Sequence, residues 1–220
     1  STPCPGAEFA GVGGHTSCVA FARAGRPPEL VLDAGTGIRH LRTLLDGSAF
    51  RGTLLLGHLH WDHTQGLPFC SAMDHPEAST RVLLPTDPMQ PGESAAGLLA
   101  RAMSPPHFPI GPEGLRGTWT FEPIQEGWLD TAEGFRVLAL EIPHKGGRTF
   151  GFRVEADGAA VAYLSDHAPQ VLGDGPSGIG ELHPHARRLV EGVDLLLHDA
   201  QYTRAELGQR GGWGHAAAEY

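Results

Sequence analysis

Apolar residues along the chain come in short runs between glycine- and proline-rich turns, with only a few stretches at helical spacing. Thr16–Ala22 reads as a strand of small and β-favouring residues. Glu29–Asp33 is an apolar strand that ends at an acid. Ala34-Gly35-Thr36-Gly37 then turns the chain, and Ile38–Asp46 places Ile38, Leu41, Leu44 and Leu45 on one helical face. Thr53–Leu56 is a short buried strand and Arg81–Leu84 another. Glu93–Met103 predicts a helix stopped by Pro105-Pro106. Four strands follow: Thr118–Ile124, Phe135–Ile142, Thr149–Glu155 and Ala159–Leu164. Turns are expected at Gly146-Gly147 and Asp157-Gly158, the second being a hairpin signal. His185–Glu191 reads as a helix and Val193–His198 as a strand. Strand-rich stretches with interspersed helices imply sheets covered by helices.

Composition narrows the class. The 220 residues are 40% hydrophobic and 19% charged, the balance of a folded domain rather than a disordered chain. The length suits one domain spanning 1–220. With 31 glycines and 18 prolines it should be rich in loops. No apolar run approaches the roughly 20 residues of a membrane span, and no basic, apolar-cored signal segment opens the chain. The start S-T-P-C-P-G lacks a Met, and Gly214–Tyr220 reads as the opening of a helix that is then cut, so both ends are expected to lack material. The net charge of −9 disfavours a partner such as long nucleic acid, unless metal supplies positive charge. Cys4, Cys18 and Cys70 are odd in number and form no C-x-x-C pair, which fits a reducing cytoplasm better than a disulfide framework.

Histidine is the unusual residue, with 13 copies. The central cluster is His58-Leu59-His60-Trp61-Asp62-His63, directly after an apolar strand. In an extended segment His58 and His60 point to one side, because side chains alternate along a strand. A turn must then bring Asp62 and His63 to a neighbouring point. Imidazole and carboxylate together suit zinc or a similar divalent ion. Four such groups within six residues do not close one tetrahedron comfortably, but they can begin two adjacent catalytic sites. A His-rich surface loop is the alternative, and H-x-H-x-D-H after a strand speaks against it.

From Val31-Leu32-Asp33-Ala34-Gly35 to Trp213-Gly214-His215 the chain resembles metallo-hydrolases of the metallo-β-lactamase fold superfamily. It is most similar to their phosphodiesterase branch, which includes cyclic phosphodiesterases and tRNA 3′-processing nucleases. The resemblance implies an α/β (α+β) fold, a four-layer αββα sandwich with the metals at one edge between two sheets. It implies His58, His60 and His144 around one metal, and Asp62, His63 and His215 around a second, bridged by Asp166. His144 follows a strand in Pro143-His144-Lys145, and Asp166 ends another in Leu164-Ser165-Asp166. Leu197-His198-Asp199-Ala200 resembles the branch's His-Glu-Ala-Thr element. His198 would then stabilise charge on a phosphate and help the leaving oxygen depart, with Asp199 as its orienting partner. Asp33 is expected either behind a metal-binding His or as a helix cap. The chain departs from the family pattern at His15, where Asn is usual, and at Ala216-Ala217, where the nucleases prefer Ser-Thr. His40, His75, His107, His167, His183 and His185 have no motif support, although His167 abuts Asp166.

The function the resemblance implies is hydrolysis by a hydroxide bridging two divalent ions, Zn2+ first and Mn2+ second, with Asp62 orienting the nucleophile. In the bacterial tRNA-processing relatives a long substrate-clamping arm fills the interval corresponding to His144–Asp166, which here is 22 residues. A small, cyclic phosphodiester is therefore the expected substrate. A lactone, thioester or β-lactam hydrolase on the same metals is the second class, since fold and ligands do not fix a substrate. A redox di-iron protein would usually carry Glu in place of His60. A non-catalytic scaffold would usually have lost ligands. Relatives of this branch are often dimers, so a homodimer is a further expectation.

Overall fold

The computed structural model describes every residue except Ser1, Pro88, Pro91 and Ala132, so the first residue of the expected opening loop lies outside the described residues. Two compact units divide the chain, Ser1–Ile124 and Gln125–Tyr220, and each holds one five-stranded sheet.

The first unit orders its strands β1 (Val19–Phe21), β2 (Leu30–Leu32), β3 (Arg51–Leu55), β4 (Ser79–Leu84) and β5 (Thr118–Pro123) in sequence across the sheet. β1 runs antiparallel to β2, and the other neighbours are parallel. Parallel strands covered on both faces read as continuous apolar runs. That is the pattern of Leu30-Val31-Leu32 and Leu54-Leu55-Leu56, all buried. Val31, Leu54, Val82 and Leu84 pack with Ile38, Phe50, Leu67 and Leu99 in one core. The register aligns Leu32 with Leu55 and Leu55 with Leu83. The residues after β2 and β3 therefore emerge at the same edge, the carboxyl end of the parallel strands.

Helices in this unit are shorter than the apolar spacing suggests. Ile38–Asp46 resolves into a 3-10 turn over Thr36–His40 and a single α-turn, α1 (Leu41–Leu44), ended by Asp46 and Gly47 at positive φ. A second single turn, α2 (Trp61–Thr64), follows His60 and has too few residues to show a period. The third helix, α3 (Ala95–Ala100), starts one residue after Ser94, whose hydroxyl caps Gly97 N–H at 3.0 Å.

The second unit orders its strands as β10 (Leu195–His198), β9 (Ala159–Leu164), β8 (Phe150–Ala156), β7 (Arg136–Glu141) and β6 (Gly127–Asp130). Only β10 and β9 are parallel. Asp157 and Gly158, with φ of 51° and 80°, make the two-residue turn between β8 and β9 that the sequence announces. The strand β6 was not anticipated, and it forms through its pairing with β7. Helix α4 (Pro184–Val190) buries Ala186 and Leu189 against Leu138, Leu140, Ala162 and Leu164. Helix α5 (Arg204–Arg210) opens with a reciprocal Thr203–Glu206 capping box. The expected terminal helix does not form. Gly214–Tyr220 is an irregular segment in which Ala217 bridges Tyr202. Within it, Ala216 N–H is committed to Asp199 and Tyr202 N–H to Ala216 O.

Burial pushes the Cys18 and Cys70 thiols above the ordinary range, so neither is primed as a nucleophile. Among the described residues no helix is long and apolar enough to cross a membrane.

One surface pair ties the approach to β5 back to the core loop. Asp74 accepts Arg116 N–H at 2.7 Å and pairs with its guanidinium at 2.9 Å. The hydrogen bonds from Arg116, opposed by partial burial, hold the Asp74 carboxyl below the usual range. A carboxyl with a lowered folded value stabilises the native state above its unfolded value, near about 3.9. That contribution is lost as pH falls through the folded value. The urea-midpoint gap between wild type and Asp74→Asn should therefore be constant from neutral pH to about pH 5. Below that it should close. A gap that widens on acidification contradicts this assignment.

Candidate metal centre

The first unit gathers His58, His60, Asp62 and His63 around the carboxyl end of β3. Leu56-Gly57 carries the chain out of the strand, and α2 turns it back within four residues. Thr64 Oγ1 closes the turn on His60 O at 3.1 Å. The His58 ring centroid lies 4.5 Å from that of His60 and 4.1 Å from that of His63. His63 Nε2 is 3.6 Å from Asp62 Oδ2. His58, Asp62 and His63 are all buried.

Asp33 sets this geometry. It follows β2 with φ of 60°, a left-handed conformation that Asp tolerates better than most residues. Its N–H bonds Leu55 O at 2.8 Å, and Ala34 N–H bonds His63 O at 2.7 Å. Asp33 Oδ1 accepts Gly57 N–H at 2.8 Å, and Oδ2 stands 2.8 Å from His63 Nδ1. The carboxylate assigns the ring proton to Nδ1 and leaves the Nε2 lone pair on the Asp62 side. Burial alone would raise the Asp33 carboxyl, but His63, His58 and Gly57 N–H outweigh it and hold it low. Of the two roles expected for Asp33, the structure shows support of the His63 ring. Gly35 is required beside it, since a Cβ there would overlap the Asp62 carbonyl oxygen.

The second unit builds a matching cluster. His144, three residues beyond β7, directs Nδ1 to Gly214 O at 2.6 Å and Nε2 to Asp166 Oδ2 at 3.3 Å. Gly214 sits at φ of 91°, and a Cβ there would press on Lys145. His215 directs Nδ1 to Asp199 Oδ2 at 2.9 Å, and the same nitrogen is 3.8 Å from Asp166 Oδ2. The Asp199 hydrogen bond, against the effect of burial, raises the His215 ring above its ordinary range. The His144 and His215 ring centroids are 5.3 Å apart.

Asp199 is occupied differently from the sequence expectation. Besides His215, its Oδ2 accepts His167 N–H at 3.1 Å and Ala216 N–H at 3.3 Å, while Oδ1 accepts Gln201 N–H at 2.9 Å. The ring beside His198 is His167, with Nδ1 3.0 Å from His198 Nε2. Tyr220 stacks on His198 with centroids 5.6 Å apart. Burial, reinforced by His198, drives the His167 ring down to about 3, and burial also lowers His198. Burial therefore favours the neutral form of both rings. Sequence reasoning gave His167 no motif and passed over Tyr220; the adjacency of His167 to Asp166 was the available signal.

The donors fit a divalent cation. Once Nδ1 of His144 donates to Gly214 O, the neutral ring turns a lone pair towards the Asp166 carboxylate at 3.3 Å. Two lone pairs at that distance repel unless a proton or a metal ion lies between them. Imidazole nitrogen with carboxylate oxygen, each ring fixed through its second nitrogen, is the donor chemistry of zinc and its neighbours. Replacing Asp33 by Asn should lower zinc affinity about 10- to 100-fold, measured by competition with a chromogenic chelator. Unchanged affinity in the folded variant contradicts the supporting role.

Comparison with known proteins bears on the same residues. A family model described as "Beta-lactamase superfamily domain" matches residues 29–220. Among solved structures, the short form of human tRNase Z superposes with a TM-score of 0.65 at 20% identity, covering 100% of this chain and 82% of that one. Zinc-bound PqqB from Methylobacterium extorquens gives 0.58 at 18% identity, covering 91% and 65%. The metallo-beta-lactamase fold protein YhfI from Bacillus subtilis gives 0.58 at 14%, covering 93% and 70%. At these identities the likeness establishes the fold alone, an α/β architecture of two mixed sheets with helices. No curated protein matches.

Proposed function

The chain belongs to the beta-lactamase superfamily domain family, and from that premise we propose that residues 1–220 form one hydrolase domain, a dinuclear metal-dependent phosphodiesterase acting on a small phosphodiester. Members of this superfamily are mostly metal-dependent hydrolases. The observation that carries the reading is the support behind the rings. His63, His144 and His215 each give Nδ1 to an oxygen acceptor, on Asp33, Gly214 and Asp199 respectively. Metal-binding histidines are usually held in this way, which supports the reading.

In this proposal His58, His60, His144 and Asp166 hold one ion and Asp62, His63 and Asp166 hold the other, with His215 joining the second as the resemblance implies. Zinc is the first choice and manganese the second. When bound, such ions make a water acidic enough to react near neutral pH and offset charge on phosphoryl oxygens. The protein supplies the rest. Asp62 accepts a hydrogen bond from the attacking water and so orients it. His198, at the end of β10, stabilises charge on the phosphate by hydrogen bonding and so helps the leaving oxygen depart. His198 Nε2 lies 3.0 Å from His167 Nδ1, a contact that holds the ring in one orientation.

Two features favour a small substrate. The interval from His144 to Asp166 is taken up by a short loop (145–149), β8, a two-residue turn and β9, which leaves no room for a clamping arm. The net charge of −9 gives no electrostatic grip on a polynucleotide. That the human tRNase Z shares the fold does not transfer its substrate.

The test is hydrolysis of bis(p-nitrophenyl) phosphate by zinc- or manganese-loaded protein, beside a His198→Ala variant. We expect turnover in the wild type and a loss of about 100- to 10,000-fold in kcat for the variant at unchanged metal content. A folded, two-metal protein that cleaves a lactone or thioester but no phosphodiester contradicts the proposal.

A further inference from the structure

The first unit holds a cavity of about 310 Å3 beside α2. That is the small end of the roughly 300–1,000 Å3 common for ligand sites, room for a single small molecule. Its lining includes the rings of Trp61, Phe69 and Phe108 among aliphatic side chains, with Thr64, Gln65 and His107 adding polar atoms. Phe69 and Phe108 meet edge to face with centroids 5.7 Å apart. Trp61 and Phe69 are 74% and 62% exposed, unusual for large apolar side chains that could have packed inward. A second hollow of about 330 Å3 shares Trp61 and His107 with it.

The location gives the cavity a purpose. Trp61 lies between His60 and Asp62 in sequence, and Thr64 directly follows His63. The same single helical turn that carries candidate metal ligands also presents the aromatic wall.

We propose that this cavity binds the nucleobase of a mononucleotide-type phosphodiester, an assignment that rests on the phosphodiesterase reading above. An exposed indole and two phenyl rings offer flat faces to a flat ligand. Gln65, Thr64 and His107 offer hydrogen bonds to a ring with polar edges, which a saturated acyl chain could not use. Base stacking on aromatic side chains is tolerant of base identity, so several bases should bind.

The test uses adenosine, which has a base and no phosphodiester, titrated into the full chain and followed by isothermal calorimetry. Adenosine should bind, and Phe69→Ala should weaken it by about tenfold to a hundredfold without changing metal content. Gln65→Ala, a solvent-side change, should weaken it by a smaller factor and serves if Phe69→Ala does not fold. 1-Hexanol should not displace adenosine. Absence of adenosine binding, binding unaffected by both substitutions, or displacement by 1-hexanol overturns the proposal. Adenosine binding by a protein that cleaves no phosphodiester leaves the cavity assignment standing and removes the phosphodiesterase reading instead.

Discussion

A carboxylate withdrawn from water must find donors or lose its charge. Asp33 is fully buried at the carboxyl end of β2, and it meets that requirement with Gly57 N–H and the His63 ring. The two bonds fix where β3 releases the chain and how α2 turns. His58, His60, Asp62 and His63 then have little freedom left. Breaking a buried pair of this kind typically costs about 3–5 kcal/mol, because the remaining partner is left uncompensated. The left-handed backbone at Asp33 and the glycine at position 35 are consequences of the same close approach.

The second unit uses the same device with different parts. Asp199 follows a parallel strand, as Asp33 does, and holds His215 through Nδ1. It also gathers the backbone N–H groups of His167, Gln201 and Ala216. One acidic side chain thus links the end of β9, the end of β10 and the segment bearing His215. Placement of chemistry at the carboxyl ends of parallel strands follows the general rule for α/β sheets. The candidate ligands sit on short loops, and the strands behind them make those loops reproducible.

Much of this was legible in the sequence because the relevant signals are local. The H-x-H-x-D-H run names its own ligand types, and the apolar runs of β2, β3, β7, β8 and β9 fall within a residue or two of their expected places. The hairpin at Asp157-Gly158 is dictated by two residues that accept positive φ. What was not legible depends on pairing between distant segments. The contact of His167 with His198 exists because β9 and β10 are parallel, with Leu164 opposite His198. No single-chain pattern shows that register. The half-exposed strand β6 likewise exists through its partner β7. The one-turn helix α2 has no period to detect, whereas the Thr203–Glu206 box that starts α5 was a readable signal. The Gly214–Tyr220 segment resembled a helix in composition, but its N–H groups are spent on Tyr202 and Asp199.

In the proposed centre two groups of donors, each braced from behind, serve a pair of metal ions. Anomalous scattering at the zinc edge from crystals grown with zinc tests it most directly. The account predicts two peaks, one ligated by His58, His60 and His144, the other by Asp62, His63 and His215, with Asp166 adjoining both. A single peak, or none at these residues in saturating zinc, contradicts it.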